Sequence, residues 1–171
     1  MTSDAETLVR LRRLLAELRV DLEALCARHR EVVAALRGWD AGAEPERTVV
    51  IVTAVNLHGW YTALEHGLER VARLVDQTLP SGSTWHVELL AQMQLEIPEL
   101  RPAVIPAGVA SELNELRKFR HFFRNAYVLE LDPTRVRARA LDLAQAHPPV
   151  EAGWRGLLEH VQAALTMLRE S

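Results

Sequence analysis

Leu8, Leu11, Leu15, Leu18, Leu22, Leu25, His29, Val32 and Leu36 follow one another in alternating steps of three and four. Only an α-helix lines such positions up on one stripe, and a stripe repeating every seven residues faces a partner helix at a shallow left-handed crossing. The pattern predicts a first helix that opens at the capping-box spacing Ser3-Asp4-Ala5-Glu6 and closes at Gly38 and Gly42. At about 1.5 Å per residue it is about 50 Å long. A helix with one apolar stripe must bury it, so the rest of the chain has to supply the partner.

The partner opens after Pro45. Val49-Val50-Ile51-Val52 has the β-branched content of a buried strand. Yet Val50, Ala54, Leu57, Tyr61, Leu64, Leu68, Val71 and Val75 carry the three–four spacing straight through it. One long helix, ending near Leu79-Pro80, keeps that register where a strand would break it. Ser83 caps a short helix from Trp85 to Gln94, and Pro98, Pro102 and Pro106 punctuate an irregular connection. A fourth helix is predicted over Gly108 to Val128. Asp132-Pro133 then sets a cap and a proline at the first helical position of a fifth, which runs to Ala146. His147-Pro148-Pro149 breaks it, and Trp154, Leu158, Val161, Leu165 and Leu168 mark a last helix. The expected fold is therefore all-α: an up-down bundle of two long antiparallel helices and three or four shorter ones, in a single domain over residues 1–171.

Composition excludes several classes. The single Cys26 rules out an internal disulfide and a multi-cysteine metal site. Net charge is −3, so no overall basic field announces a nucleic-acid binder. The residues before Leu8 lack the basic start and apolar run of a signal peptide. The longest uncharged run, Thr48 to Leu64, is 17 residues and contains Asn56, His58 and Gly59, short of the ~20 apolar residues of a spanning helix. A cytoplasmic protein without membrane contact is expected. His58 and His66, with Glu65 and Glu69 nearby, lack the i, i+4 spacing of a helical zinc site. Neither metal nor cofactor is expected. His29 reads as a core or interface histidine on the seam, and Cys26 as a packed, unreactive thiol.

Charge is concentrated in one place. Arg117, Lys118, Arg120, Arg124, Arg135, Arg137 and Arg139 face only Glu130 and Asp132 in the same stretch, a local balance of +5. On the fourth helix Leu113, Leu116, Phe119, Phe123 and Ala126 form an apolar stripe. Tyr127, Arg120, Arg124, Arg117, His121 and Asn125 lie beside it as one polar edge. Guanidinium forks match phosphate oxygens, which points to a phosphate-bearing partner. The plainer reading of such a run is a solvated helix face.

The order of residues decides between them by resemblance. Arg120-His121, Asn125 and Tyr127 resemble the motif of the HEPN superfamily, and within it the HepT-like ribonuclease toxins: Arg, a polar residue, three positions, His, one position, Tyr. Leu57-His58-Gly59-Trp60-Tyr61, Leu64-Glu65, Trp85-His86-Val87-Glu88-Leu89-Leu90, Pro102-Ala103-Val104-Ile105 and Glu130-Leu131-Asp132-Pro133 also look like strings of that family. The likeness spans roughly Val49 to Val136. It implies a helical homodimer with the motif helices of two protomers lining one cleft. The implied activity is metal-independent endoribonuclease chemistry, with attack of an RNA 2′-hydroxyl on the adjacent phosphate and tRNA as a substrate by family likeness alone. The implied partner is an MNT-type nucleotidyltransferase antitoxin that transfers AMP to the motif tyrosine, here Tyr127. In these terms Arg120 holds phosphate, Arg117 and Arg124 assist, and Asn125 with His121 shares the proton-transfer position.

Asn125 stands where the family motif carries His. A carboxamide does not titrate near neutral pH and so cannot be a general acid or base, although it can hydrogen-bond a phosphate or hydroxyl. Either His121, one turn earlier on the same face, supplies the imidazole, or the chain is a catalytically inactive module of the same fold that binds RNA, nucleotide or protein.

Overall fold

The computed structural model describes residues 2–39, 45–125 and 131–170, with the side chains of residues 2–4 left aside. It contains five α-helices among the described residues: α1 (Thr2–Trp39), α2 (Arg47–Leu74), α3 (Trp85–Gln94), α4 (Ala110–Asn125) and α5 (Pro133–Glu170). A single 3-10 turn, Ala107–Val109, leads into α4. The expected all-α bundle is what forms.

The long helix α2 is central and packs against α1, α3, α4 and α5. Its inward face is the predicted register, with Val50, Ala54, Leu57, Tyr61, Leu64, Leu68 and Val71 all buried. Helical periodicity thus overrides the β-branched run at its start. Contacts fix the directions. Arg28 reaches Asn56 while Arg70 pairs with Glu17 and Asp21, so α1 and α2 are antiparallel. Trp60 meets His147 and Gly67 meets Trp154, so α2 and α5 run parallel. A Cβ on Gly67 would lie 2.3 Å from the Trp154 ring, so this close crossing requires glycine.

Several predicted boundaries move. α1 continues to Trp39 with Gly38 inside it, because one glycine at an open position costs a helix only about 1 kcal/mol; Gly42 lies outside the described residues. α2 stops at Leu74, five residues before the expected end, and the chain then turns so that Asp76 points inward. Thr84 rather than Ser83 is the residue at the start of α3, and its hydroxyl bonds the Glu88 carboxylate at 2.5 Å. α4 begins at Ala110, after the 3-10 turn, and is described to Asn125.

The largest correction concerns the carboxy-terminal third. α5 is one 38-residue helix with Pro148 and Pro149 inside it, not two helices broken at them. Asp132 caps it as expected, its carboxylate accepting the Thr134 amide at 2.9 Å. Val136, Ala140, Leu143, His147, Val150, Trp154, Leu157, Val161 and Leu165 are all buried in unbroken three–four steps across the prolines. Pro148 is exposed, so the backbone bonds lost at the pair are lost on the solvent side. Burial on the other side outweighs them.

A buried pair closes the α2–α3–α4 connections. Arg101 donates to both Asp76 oxygens at 2.6 and 2.7 Å and to the carbonyls of Leu95, Pro102 and Gln92. Beside it the Val104 and Ile105 amides donate to the Met93 carbonyl. This staple fixes where α4 starts.

Candidate nucleic-acid interface

α4 packs its apolar stripe inward as expected: Leu113, Leu116 and Phe119 are buried, and Phe123 is packed against the core. Phe123 lies 5.1 Å from the His58 ring while Arg120 reaches Thr62 and Glu65, so α4 runs antiparallel to α2. Ala126 and Tyr127 lie outside the described residues.

The basic edge divides into unlike parts. Arg120 does not share the solvent edge with its neighbours. Its Nε donates to the Thr62 hydroxyl at 3.1 Å and its Nη2 meets the Glu65 carboxylate at 2.8 Å. Glu65 is 2% exposed, and its other oxygen bonds His86 Nδ1. One buried carboxylate from α2 therefore holds a guanidinium from α4 and an imidazole from α3. That imidazole lies against the Trp85 ring, centroids 3.7 Å apart and planes tilted by 31°.

Arg117 donates to Asn114 Oδ1 at 3.0 Å, and Arg124 stays exposed. Lys118 pairs with Glu115, Arg139 with Glu115 and Asp142, and Arg135 covers the Phe122 ring at 4.4 Å. Local carboxylates thus neutralise much of the apparent excess, leaving Arg117 and Arg124 as the outward cations of α4. His121 and Asn125 are exposed, and the Asn125 amide donates to the His121 carbonyl at 2.8 Å. Among the described residues, no side-chain hydrogen bond joins either of them to Arg120.

α2 presents a second imidazole to this region. His58 Nδ1 is buried without a hydrogen-bond partner among the described residues. Burial, then the charges of Arg120, Arg124 and Arg28, lowers its ionisation below the ordinary histidine range. The ring is therefore neutral near pH 7.

A different cluster gathers possible metal donors. Cys26, His147 and Glu151 bring one ligand atom each within 4.8 Å of one another, at a groove between α1 and α5 of about 830 Å³. Its hydrogen bonds argue against a ligand set. Trp60 Nε1, which can only donate, bonds His147 Nδ1 at 3.2 Å, so the ring proton sits on Nε2, facing Glu151 at 3.3 Å. A cation there would need an imidazolate. Burial and then the Glu151 charge push the Cys26 thiol up, which suits a packed thiol rather than a nucleophile. His29 stacks on His147 at 3.9 Å, as a packed seam histidine should. The His58/His66 pairing forms no metal cluster among the described residues.

The family model described as HepT-like protein matches residues 52–161, from α2 into α5. The chain belongs to this HEPN-type HepT-like family. No curated protein and no solved structure matches it. The matched span contains Glu65, the His86 and Arg120 that meet its carboxylate, and Thr62, which accepts from Arg120. The sequence strings around Glu65 and His86 carried the resemblance, but their joint role was not legible until the helices were assembled. No described helix is long and apolar enough to cross a membrane.

Proposed function

We propose that this HepT-like chain is the toxin of a toxin–antitoxin pair, a one-domain, metal-independent endoribonuclease of the cytoplasm. The observation that carries the reading is Arg120, the motif arginine, held half-buried between α2 and α4 rather than waving in solvent. A guanidinium fixed through Nε and Nη2 keeps Nη1 for phosphate, and pre-positioned charge is what stabilises the developing oxyanion of phosphoryl transfer. Arg117 and Arg124 line the outward face along which an RNA backbone would run.

In this reading the RNA 2′-hydroxyl gives up its proton as its oxygen bonds to phosphorus, and the 5′-oxygen leaves and takes up a proton, giving a cyclic phosphate and a free 5′-hydroxyl. Two copies bring their α4 helices to one cleft, and an MNT-type nucleotidyltransferase restrains the toxin by transferring AMP from ATP to the Tyr127 hydroxyl, with release of the hydroxyl proton and pyrophosphate. The added bulk and negative charge would compete with RNA phosphate for Arg120 and Arg124. His121, or Asn125 as a hydrogen-bond donor, serves the leaving or attacking oxygen.

The test is cleavage of total tRNA by the purified protein beside Arg120→Ala and Asn125→His variants. Cleavage is expected to rise with Asn125→His and to vanish with Arg120→Ala. If Asn125→His cuts nothing and does not arrest growth, the toxin reading is wrong. One observation favours a second reading, that of a non-catalytic RNA-binding module: the Asn125 amide is bonded to its own helix and cannot exchange a proton. That module would bind RNA in a salt-dependent way and leave it intact.

A further inference from the structure

Arg28 of α1 rests against Gly59 of α2, beside His58, and Arg120 of α4 reaches Thr62 one turn further along α2. Burial first, and then the charges of Arg120 and Arg124 from α4 and Arg28 from α1, disfavour the charged form of His58. Among the described residues, neither Arg28 nor Arg124 meets a carboxylate; Arg28 Nη1 donates to Asn56 Oδ1 at 3.4 Å. Gathered cations that lack counter-charges repel one another, and a bound anion relieves that repulsion.

The backbone is shaped for this arrangement. A Cβ on Gly59 would lie 2.5 Å from Arg28 Cζ and 2.6 Å from Nη1, so the guanidinium rests directly on the α2 main chain. A side chain there would push it away. Next along α2, His58 Nδ1 is buried and unpartnered, and the ring is backed by Phe123 at 5.1 Å. An unpartnered buried polar atom calls for a reason, and the two cations beside it make an anion the ligand that fits.

We propose that Arg28, His58 and Arg124 form an anion pocket beside Arg120 that takes a backbone phosphate of single-stranded RNA. The assignment rests on the ribonuclease reading above and extends the RNA path from α4 across α2 to α1. Guanidinium forks pair bidentately with phosphate oxygens. A phosphate close to His58 offsets the charges of Arg28 and Arg124, Arg120 being paired with Glu65, and lets the imidazole take a proton and donate to it. Arg28 and His58 then contribute to binding from helices outside the motif.

The test is binding of a fluorescent oligouridylate to the full chain by anisotropy over a salt series. Arg28→Ala and His58→Gln are expected to weaken binding about tenfold, the loss of one charge-assisted contact. Arg28→Ala should also lower the slope of log affinity against log salt by about 0.7, one phosphate contact on a single strand. Gly59→Ala is the sharper variant: it keeps every charge, favours the helix, moves only the flexible end of Arg28, and should weaken binding several-fold. Arg155→Ala removes the same unit of charge at a site paired with Glu151 on the far groove and should change nothing. If Arg120→Ala weakens binding but Arg28→Ala and Gly59→Ala stay within twofold of the parent, the pocket is refuted and the ribonuclease reading stands. If the parent chain binds no RNA, or binds polyglutamate in its place, both fall.

Discussion

Glu65→Gln tests whether the buried carboxylate holds the site together. The Glu65 side chain is 2% exposed and that of Arg120 12%, so their ion pair is largely shielded from water. Glutamine keeps the shape and one acceptor oxygen, but its amide cannot accept from both Arg120 and His86. Removing one partner of a fully buried pair costs roughly 3–5 kcal/mol. Arg120 retains Thr62 and a solvent outlet, so the expected cost is about 2–3 kcal/mol. In a chain of this size each kcal/mol lowers the melting temperature by about 2–4 °C, giving a fall of about 5–10 °C by differential scanning calorimetry. The loss should be coupled. With Arg120→Gln added, the cation that Glu65→Gln strands is gone, so the double variant should lose at least about 1 kcal/mol less than the two single losses added. A melting point within about 2 °C of the parent, or single losses that add to within about 0.5 kcal/mol, would show that Glu65 does not hold Arg120 as described.

The buried His147 predicts how stability responds to acid. Burial, then the neighbouring His29, lowers its ionisation to about 4 from the ordinary 6.5. Above pH 6.5 both folded and unfolded states are neutral and the group contributes nothing. Between 6.5 and 4 the unfolded chain takes a proton that the folded one refuses, so stability drops by up to about 3 kcal/mol, and His29 shifts in the same direction. Urea midpoints should fall across that window and flatten in His147→Gln; an equal slope in the variant would exclude His147 as the source. Arg101→Met leaves the Asp76 carboxylate, 3% exposed, without its cation and with only the Gln92 amide at 2.6 Å, and should cost about 3–5 kcal/mol. Hydrogen exchange at the Val104 and Ile105 amides should accelerate, and unchanged exchange there would rule out the staple. Gly67→Ala should destabilise by about 1–3 kcal/mol because its Cβ meets Trp154 at 2.3 Å, whereas Gly38→Ala, with nothing within 4 Å, should stabilise by up to about 1 kcal/mol. Like-signed shifts in thermal melts would contradict the packing.

How far the architecture can be read from residues alone depends on which local signal dominates. In α2 the apolar register runs through Val49–Val52 and outranks β-propensity. In α5 the same register runs through Pro148-Pro149, where proline chemistry predicts a break that does not occur. A missing N–H is cheap where the carbonyl it abandons faces water, and only the assembled bundle shows which side of the helix that is. Arg120 repeats the lesson at the level of a side chain. A helical wheel places its Cα on the polar edge, but the long side chain folds back to a carboxylate on α2, 55 residues earlier. The signal for that contact was present and lay in Glu65, not in the arginine. Glu65 follows Tyr61 by four and precedes Leu68 by three, a charged residue in step with a buried stripe. Desolvating a carboxylate is too costly unless a cation comes with it. An acid on the apolar face of a central helix therefore points to an inward-turned base elsewhere, and in this chain the base it captures is Arg120. His58 and Arg28 left no such mark. The imidazole is one step off the seam and the arginine sits in a generic heptad, so their meeting at Gly59 is set by how closely α1 crosses α2. The apolar stripes that determine that crossing also determine where the cations gather, so the packing of the bundle and the charge of its surface have one origin.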